Sequence, residues 1–406
     1  MNTNLKLAWR NLWRNRRRTI IAISSIVFSV VLAAFMRSMQ EGSYTGMIDN
    51  VVKFYSGYLQ VQDTAFWDER TIDNGFEAAP EMISGIESIE HVTLVSHRIE
   101  SFALAASHLR SKPAMVLGIE PELEDKITAI SKKIVKGSFL KSGDKGAVIG
   151  QGLSEYLKLD IGDTLVMISQ GYHGMSANGL FIIQGIMKHP NQDYDKQLIY
   201  LSIDAAREFY SAPGISTSLV VMTDTPYQIN QLKRRIAKLL PPNNTVMTWN
   251  EMQPELEQII QSDRAGGIVM LAVLYVVIAF GMFSVVMMMV KERKREFGVI
   301  HAVGMRKTKI SAILFLETLL IGLIGSAVGL FFSYLLCLYY FYNPIPFSGE
   351  LTEATAKFGI EPFLFFSLKP SLFYNQMILV FSISLFISLF PIYNIHKLKI
   401  TKAMRG

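Results

Sequence analysis

The chain has 406 residues, of which 50% are hydrophobic and 18% are charged, and its mean hydropathy is +0.27. This composition is too apolar for an ordinary soluble protein and favours a membrane protein that also carries a soluble domain. The net charge of +6 comes from short basic segments outside residues 37–264. Residues 37–264 themselves hold 21 basic and 28 acidic side chains, a net charge of −7. The basic excess therefore signals membrane topology, and no nucleic-acid partner is expected.

The chain begins with an alternation of apolar and basic residues that predicts an amphipathic helix at 1–18. One helical face would carry Leu5, Ala8, Trp9, Leu12 and Trp13, and the other face would carry Arg10, Arg14 and Arg17. Tryptophan beside arginine is typical of a helix that lies in the membrane interface, so membrane lipid is an expected partner.

Four apolar runs are long enough to cross a bilayer as helices. Basic segments lie before the first run, between the second and third, and after the fourth, so the positive-inside rule places both chain ends in the cytoplasm. After the elbow helix at 1–18, the predicted order is a span at 19–36, an outer domain at 37–264, a span at 265–290, a coupling segment at 291–309, a span at 310–342, an outer loop at 343–376, a span at 377–395 and a tail at 396–406.

Residues 37–264 predict an α+β domain with a helical stalk at each end, at 40–54 and 250–264. Eight short β-type runs alternate with helical patterns at 204–210 and 227–240. The β-type runs are 58–62, 91–99, 114–119, 147–149, 164–168, 180–186, 197–201 and 218–222. The predicted fold is a membrane protein with four transmembrane α-helices and a large α+β extracytoplasmic domain inserted between the first and the second.

The segment KERKREFGVIHAVGMRKTKI at 291–310 is too long and too apolar for a simple turn between two spans. Its charged residues enclose a helical stripe formed by Phe297, Val299, Ile300 and Val303. Gly298 and Gly304 would weaken the helix and let a neighbour approach closely. We expect a cytoplasmic docking helix whose Phe297, Val299 and Ile300 have no partner inside this chain.

The sequence lacks the motifs of several enzyme classes. It has no G-x-x-x-x-G-K-[ST], no H-E-x-x-H and no G-x-S-x-G, so we expect no enzymatic activity, cofactor or metal on this chain. Glu317 is a carboxylate within a predicted span, and it is either functional or the partner of a nearby basic residue. Gly322, Gly325 and Gly329 form one small-residue face suited to close helix packing.

Several stretches together resemble the MacB/FtsX-type permeases of ABC transporters. LAWRNLWRNRRRTIIAISSI at 7–26 resembles their elbow and first span, and LETLLIGLIGSAVGL at 316–330 resembles their third span. The tail with Pro391, Ala403, Met404 and Arg405 is similar to theirs but departs at Ile392. EFGVIHAVGMRKTKI at 296–310 is similar to their coupling segment, with Phe297 in place of an aliphatic residue. The resemblance implies that ABC ATPase subunits contact the residues Glu296, Phe297, Gly298, Val299, Ile300, Ala302 and Gly304.

The outer domain narrows the resemblance to the lipoprotein-releasing branch. VIGQGLSEYLKLDIGDTLVM at 148–167 is similar to a family segment, and LGIEPELE at 117–124 is followed by KKIVKGSFL at 132–140, where that branch has a basic helix. The resemblance implies a permease of the bacterial inner membrane that extracts lipoproteins from the outer leaflet and releases them to a periplasmic carrier. A partner ATPase dimer would bind ATP and Mg²⁺, and a second permease protomer, identical or paralogous, would complete the path.

The same resemblance leaves two other functions open, a MacB-like exporter of small molecules or peptides with a periplasmic adaptor, and an FtsX-like regulator of cell-wall hydrolases. For lipoprotein release, the first span is expected to part from a partner without breaking polar bonds. Val31, Phe35 and Met39 near its outer end would then contact acyl chains.

Overall fold

The computed structural model describes residues 3–14, 16–52, 56–346 and 363–396. The chain forms two compact units. The first, here the helical unit, comprises Met1–Thr45, Ile259–Pro346 and Phe363–Gly406; the second, the sheet unit, comprises Gly46–Gln258 and Phe347–Pro362. The predicted tail motif at 403–405 lies outside the described residues, as do 347–362 of the predicted outer loop.

Four long helices dominate the helical unit. In chain order the helices are α1 Thr3–Arg14, α2 Arg16–Val51, α3 Phe66–Glu69, α4 Pro80–Glu87, α5 Pro121–Thr128, α6 Gln151–Leu157, α7 Gln192–Asp195, α8 Ile203–Phe209, α9 Ile229–Ala237, α10 Trp249–Met252, α11 Pro254–Glu292, α12 Lys294–Ala302, α13 Lys307–Tyr342 and α14 Pro370–His396. Of these, α2, α11, α13 and α14 each contain a stretch long and apolar enough to cross a membrane.

The small residues of α13 lie where other helices approach most closely. A Cβ atom at Gly325 would be 2.8 Å from Cβ of Ile26, and one at Gly329 would be 2.7 Å from Cβ of Val30. A Cβ atom at Gly322 would be 2.7 Å from the Ser384 hydroxyl. The glycine face predicted from the sequence therefore packs inside this chain, against α2 and α14.

The sheet unit contains strands at all eight predicted β-type runs. Its strands are β1 Leu59–Asp63, β2 Phe76–Glu77, β3 Val92–Ala106, β4 Ser111–Ile119, β5 Ile134–Gly137, β6 Ala147–Gly150, β7 Thr164–Gln170, β8 Ser176–Met187, β9 Leu198–Ser202, β10 Ile215–Ser216, β11 Ser218–Thr223 and β12 Asn244–Thr248; the helical unit adds β13 Ile345–Pro346 and β14 Phe363–Leu364. The predicted class, four membrane-length helices with an α+β domain between the first and second, is confirmed.

Strand β7 closes part of the main sheet into a ring because it pairs with both β3 and β8. The closed circuit runs β3, β4, β9, β6, β8 and β7, while β11, β1 and β12 extend from β3. Alternate side chains such as Ala105, Met167 and Phe181 are buried in the main core. Their sequence neighbours face the opposite side of the strands, as the period of two requires.

The segment LGIEPELE is fixed to β3 by its carboxylates. Glu124 accepts two hydrogen bonds from the buried Arg98, at 2.8 and 2.9 Å, and Glu120 accepts one from the backbone amide of His97 at 2.8 Å. Burial lowers the pKa of Arg98, but the carboxylates of Glu124 and Glu100 outweigh it and raise that pKa overall.

Two local expectations were wrong. KKIVKGSFL does not form a helix: a 3₁₀ turn at Ile130–Lys133 leads into β5, which pairs with β8. The β-branched Ile134 and Val135 favour a strand, and Gly137 has a φ of +77° that a regular helix excludes. The second stalk is interrupted at Gln253, because a residue before proline is disfavoured in helical conformation.

Replacing Gly325 or Gly329 by Ala should destabilise the helical unit. The added methyl overlaps Ile26 or Val30, and such overpacking costs about 1–3 kcal/mol, which exceeds the roughly 1 kcal/mol that Ala gains over Gly in a helix. Gly281 of α11 is the matched control, since a Cβ atom there meets nothing within 4 Å. In thermal unfolding of the detergent-solubilised protein, the two α13 variants should have a lower Tm than the wild type. Gly281→Ala should not lower the Tm. Equal Tm values for all three variants would contradict the close packing of α13 against α2.

Candidate functional site

The candidate site is the connection between α11 and α13. Helix α11 ends at Glu292, the chain turns at Arg293, and α12 begins one residue later. Gly304 then adopts a φ of +107°, a conformation that favours glycine, and the chain reverses into α13. A Cβ atom at Gly304 would meet nothing within 4 Å, so this glycine serves the turn and no close neighbour requires it.

A buried ion pair holds this connection to α13. The Arg293 guanidinium donates to both carboxylate oxygens of Glu317, through Nη1 to Oε2 and through Nη2 to Oε1 at 3.4 Å. Arg293 is 5% exposed and Glu317 is 2% exposed. Asn11 of α1 donates to Glu317 Oε1 at 2.7 Å. Of the two roles considered for Glu317, the structure thus shows the partner of a basic residue from the coupling segment.

Further polar contacts around the pair link five helices, α1, α2, α11, α12 and α13. Arg293 Nε also donates to Glu296 of α12 at 3.3 Å, and Glu296 accepts from Arg14 of α1 at 3.1 Å. At the start of α2, Arg18 pairs with Glu292 at 2.7 Å. Burial lowers the pKa of Arg293, but the two carboxylates more than offset this and raise it, so the guanidinium keeps its charge.

Helix α1 turns its two faces in different directions. Ala8 and Leu12 are buried, whereas Trp9 is 44% and Trp13 61% exposed, with ring centroids 6.0 Å apart. The exposed tryptophans lie beside Arg10 and Arg14, which are exposed as well. This arrangement matches an amphipathic helix in which one face packs on protein and the other is available to a membrane interface.

The expectation that Phe297 has no partner inside this chain was wrong. Its side chain is 5% exposed and belongs to a cluster with Val290, Ile310 and Leu314, and the Arg293 guanidinium lies 5.1 Å from its ring centroid. After so tight a turn, the apolar residues where α11, α12 and α13 meet must be covered by α12 itself, and Phe297 covers them. Gly298 is buried too.

The remaining stripe residues stay exposed and form what we call the apolar face. Val299 is 48%, Ile300 36% and Val303 84% exposed. Ala302 and Gly304 are exposed beside them, and Glu296 is exposed while bound to Arg14 and Arg293. His301 donates from Nδ1 to the Met305 carbonyl at 2.8 Å, which fixes the turn beneath the face.

The three residues expected to contact acyl chains are spaced four apart along the middle of α2. Val31, Phe35 and Met39 are partly buried. The Phe35 ring lies 5.7 Å from Tyr340 and 5.0 Å from Phe366, so it packs within this chain. Their contact with acyl chains stays a prediction.

The expectation that the first span, 19–36, could part from a partner without breaking polar bonds stays a prediction. Just beyond that span, α2 forms polar bonds within this chain. Ser38 donates to the Ser367 carbonyl at 2.7 Å, the Ser367 amide donates to the Ser38 carbonyl at 3.0 Å, and Lys369 donates to Glu41 at 2.7 Å.

Sequence reasoning named Glu317 but missed Arg293 and Asn11 as its partners. The only available signal was the spacing of basic residues near that acid.

Family models match both halves of this architecture. A model described as the MacB-like periplasmic core domain matches residues 19–239, more than half of the chain, and one described as the FtsX-like permease C-terminal region matches residues 268–400. The chain belongs to the MacB/FtsX family of ABC transporter permeases. Residues 1–406 contain no G-x-x-x-x-G-K-[ST] sequence, and their four apolar helices are those of a multi-pass membrane protein.

Relatives of the permease differ in their described roles. It is 24% identical over 238 residues to the lipoprotein-releasing system protein LolC of Xylella fastidiosa, covering 57% of each chain. It is 20% identical to the uncharacterized ABC transporter permease MJ1507 of Methanocaldococcus jannaschii, covering 82% of this chain and 83% of that one. The pyoverdine export protein PvdT of Pseudomonas fluorescens is 22% identical, over 80% of this chain and 50% of that one.

Among solved structures, the extracellular domain of the ABC-type transporter YknZ aligns with a TM-score of 0.35 and 16% identity, over 47% of this chain and 99% of that one. The periplasmic region of MacB from Actinobacillus actinomycetemcomitans gives a TM-score of 0.36 and 10% identity, over 52% of this chain and 97% of that one.

Replacing Arg293 by Met should destabilise the permease more than replacing both members of the pair. The single variant leaves the Glu317 carboxylate buried without its cation, which typically costs about 3–5 kcal/mol, whereas Arg293→Met with Glu317→Met removes both charges at little cost. A double-mutant cycle on detergent-solubilised protein measures the coupling. Arg14→Met is the control, because its pair with Glu296 is exposed and contributes about 0–1 kcal/mol. Additive effects at Arg293 and Glu317 would show that the ion pair contributes nothing.

Proposed function

We propose that the chain is the permease subunit of a lipoprotein-releasing ABC transporter. It would lie in a bacterial inner membrane with both ends in the cytoplasm and the sheet unit in the periplasm, as the positive-inside rule favours. A separate ATPase dimer would bind ATP and Mg²⁺ and dock on the coupling segment. A second permease protomer would complete the complex, and the cargo would pass to a periplasmic carrier.

The observation that carries this proposal is the apolar face. Three apolar side chains stand exposed on a segment whose other side is anchored by a buried ion pair, so the segment is held in place while its surface is free to bind. A partner that moved the segment would act on α11 and α13 together, because Arg293 directly follows α11 and is bonded to Glu317 of α13.

The sheet unit supplies a second surface that supports a protein partner. Five large apolar side chains are exposed on β3, β7 and β8, with exposures between 41% and 72%: Phe102, Leu104, Ile168, Leu180 and Ile182. Leu104 stands directly opposite Ile168, so these two side chains lie side by side on one face of the sheet. Apolar surfaces of this kind mark protein interaction sites, which fits a carrier or cargo.

Lipoprotein release is favoured over small-molecule export by the names of several relatives. Both LolC and LolE proteins are among them, at 21–24% identity. The MacB-like alternative has support of its own, since the pyoverdine exporter matches over 80% of this chain. The two functions differ in what leaves the membrane, so a release assay separates them.

Replacing Val299 and Val303 together by Asp should abolish ATP-dependent release of an acylated lipoprotein from proteoliposomes. Two carboxylates on the apolar face would have to be desolvated when the ATPase docks, and that cost disfavours the interface. Both side chains are exposed, so membrane insertion and Tm should not change. The assay uses the complex that co-purifies with the tagged chain and measures lipoprotein in the soluble fraction.

Leu239→Asp is the matched control, because Leu239 is 46% exposed in the sheet unit and lies outside the coupling segment. This variant should release lipoprotein at the wild-type rate. Full release by the Val299/Val303 variant would remove the docking assignment. A wild-type complex that hydrolyses ATP but releases no acylated protein would favour the exporter.

A further inference from the structure

The tip of one hairpin in the sheet unit carries a basic surface that the proposed function does not use. Between β3 and β4 the chain turns at 107–110, and Leu109 on this turn is 76% exposed. Beside the turn lies Tyr156 of α6, which is 44% exposed. The Arg110 guanidinium carbon is 5.5 Å and the Lys112 Nζ atom 5.3 Å from the Tyr156 ring centroid. These four residues are here called the tyrosine cluster.

Hydrogen bonds hold the two cations of the tyrosine cluster in place. Arg110 Nη1 donates to the Tyr156 carbonyl at 3.0 Å, and Lys112 Nζ donates to the Lys196 carbonyl at 2.9 Å. The turn is fixed by Ser107, whose amide donates to the Arg110 carbonyl at 2.8 Å and whose hydroxyl accepts from the Arg110 amide at 3.3 Å. Because alternate residues of an extended chain face the same side, both cations reach the same aromatic ring.

The positive charge of the tyrosine cluster is not neutralised by the described residues of the sheet unit. The ion pairs of that unit join other side chains. The acids closest to the cluster along the chain are engaged: Glu155 accepts from Gln151 at 2.9 Å, and Asp195 accepts from the amides of Gly152 and His189. Two cations beside one ring repel each other, so a carboxylate bound next to them would be stabilised by both charges and by their remaining N–H groups.

The chemistry of the tyrosine cluster favours a protein segment over a lipid surface or a free phosphate. A lipid surface attracts basic side chains without holding them in one position, whereas these cations are fixed by hydrogen bonds before any ligand arrives. A free phosphate would use the cations and leave Leu109 in water. A peptide that carries acidic and apolar side chains would cover both, and complementary charge is a common device for selecting a partner.

We propose that the tyrosine cluster binds an acidic segment of a partner protein, with a carboxylate beside Arg110 and Lys112 and an apolar side chain against Leu109. The basic character of this surface is local, because residues 37–264 as a whole carry a net charge of −7. Salt screens contacts beyond about 8 Å, so the nearby cations dominate the approach of a carboxylate. The site requires neither an ATPase nor a lipoprotein cargo.

Replacing Arg110 and Lys112 together by Gln should weaken the binding of a fluorescent peptide that alternates Glu and Leu. The expected loss is about tenfold or more, the factor that corresponds to one charge-assisted hydrogen bond. Fluorescence anisotropy on the full-length chain in phosphatidylcholine nanodiscs measures the affinity. Tyr156→Ala should cost about threefold because the ring is lost, whereas Tyr156→Phe keeps the ring and should bind as the wild type does.

Lys145→Gln is the matched control, because Lys145 is an exposed lysine of the same unit that already pairs with Glu208 at 3.0 Å. This variant should keep the wild-type affinity. Equal wild-type affinity for the Glu peptide and for the same peptide with Gln in place of Glu would overturn the proposal, as would an equal loss in Lys145→Gln. Sedimentation of the wild type, but not of the Arg110/Lys112 variant, with phosphatidylglycerol vesicles would assign the surface to lipid and would overturn it too.

Discussion

The buried pair of Arg293 and Glu317 is the interaction on which the helical unit depends most. A carboxylate inside an apolar bundle is costly unless a cation and hydrogen bonds compensate it. Arg293 supplies the cation, and Asn11 supplies a further hydrogen bond. Because these partners come from the coupling segment and from α1, satisfying one charge on α13 fixes the positions of two other parts of the chain.

That arrangement gives the coupling segment its particular character. The segment is anchored on one side by the ion pair and by Phe297, and it exposes Val299, Ile300 and Val303 on the other. The glycines of α13 allow α2 and α14 to approach within van der Waals contact. A displacement of the coupling segment would therefore be transmitted to tightly packed helices, as the proposed docking of an ATPase requires.

The sequence predicts the architecture well because the architecture follows from periodicity. Four long apolar runs specify four long helices, and eight alternating runs specify eight strands. The sequence left the partner of Glu317 open, since several basic residues lie close to it along the chain. Only the turn at Arg293 brings one of them to the carboxylate. Phe297 looked available because helical periodicity shows a stripe but not its neighbours. KKIVKGSFL looked helical by resemblance, although Ile134, Val135 and Gly137 favour the strand that forms.

Hydrogen exchange in α12 tests most directly whether the ion pair anchors the coupling segment. Glu317→Gln removes the negative charge and keeps the shape. The amides of Lys294–Ala302 should then exchange roughly tenfold faster or more, the factor that corresponds to about 1.4 kcal/mol. Amides of Ile229–Ala237 in the sheet unit should exchange at the wild-type rate. Unchanged exchange across α12 in the Glu317→Gln variant would contradict the account.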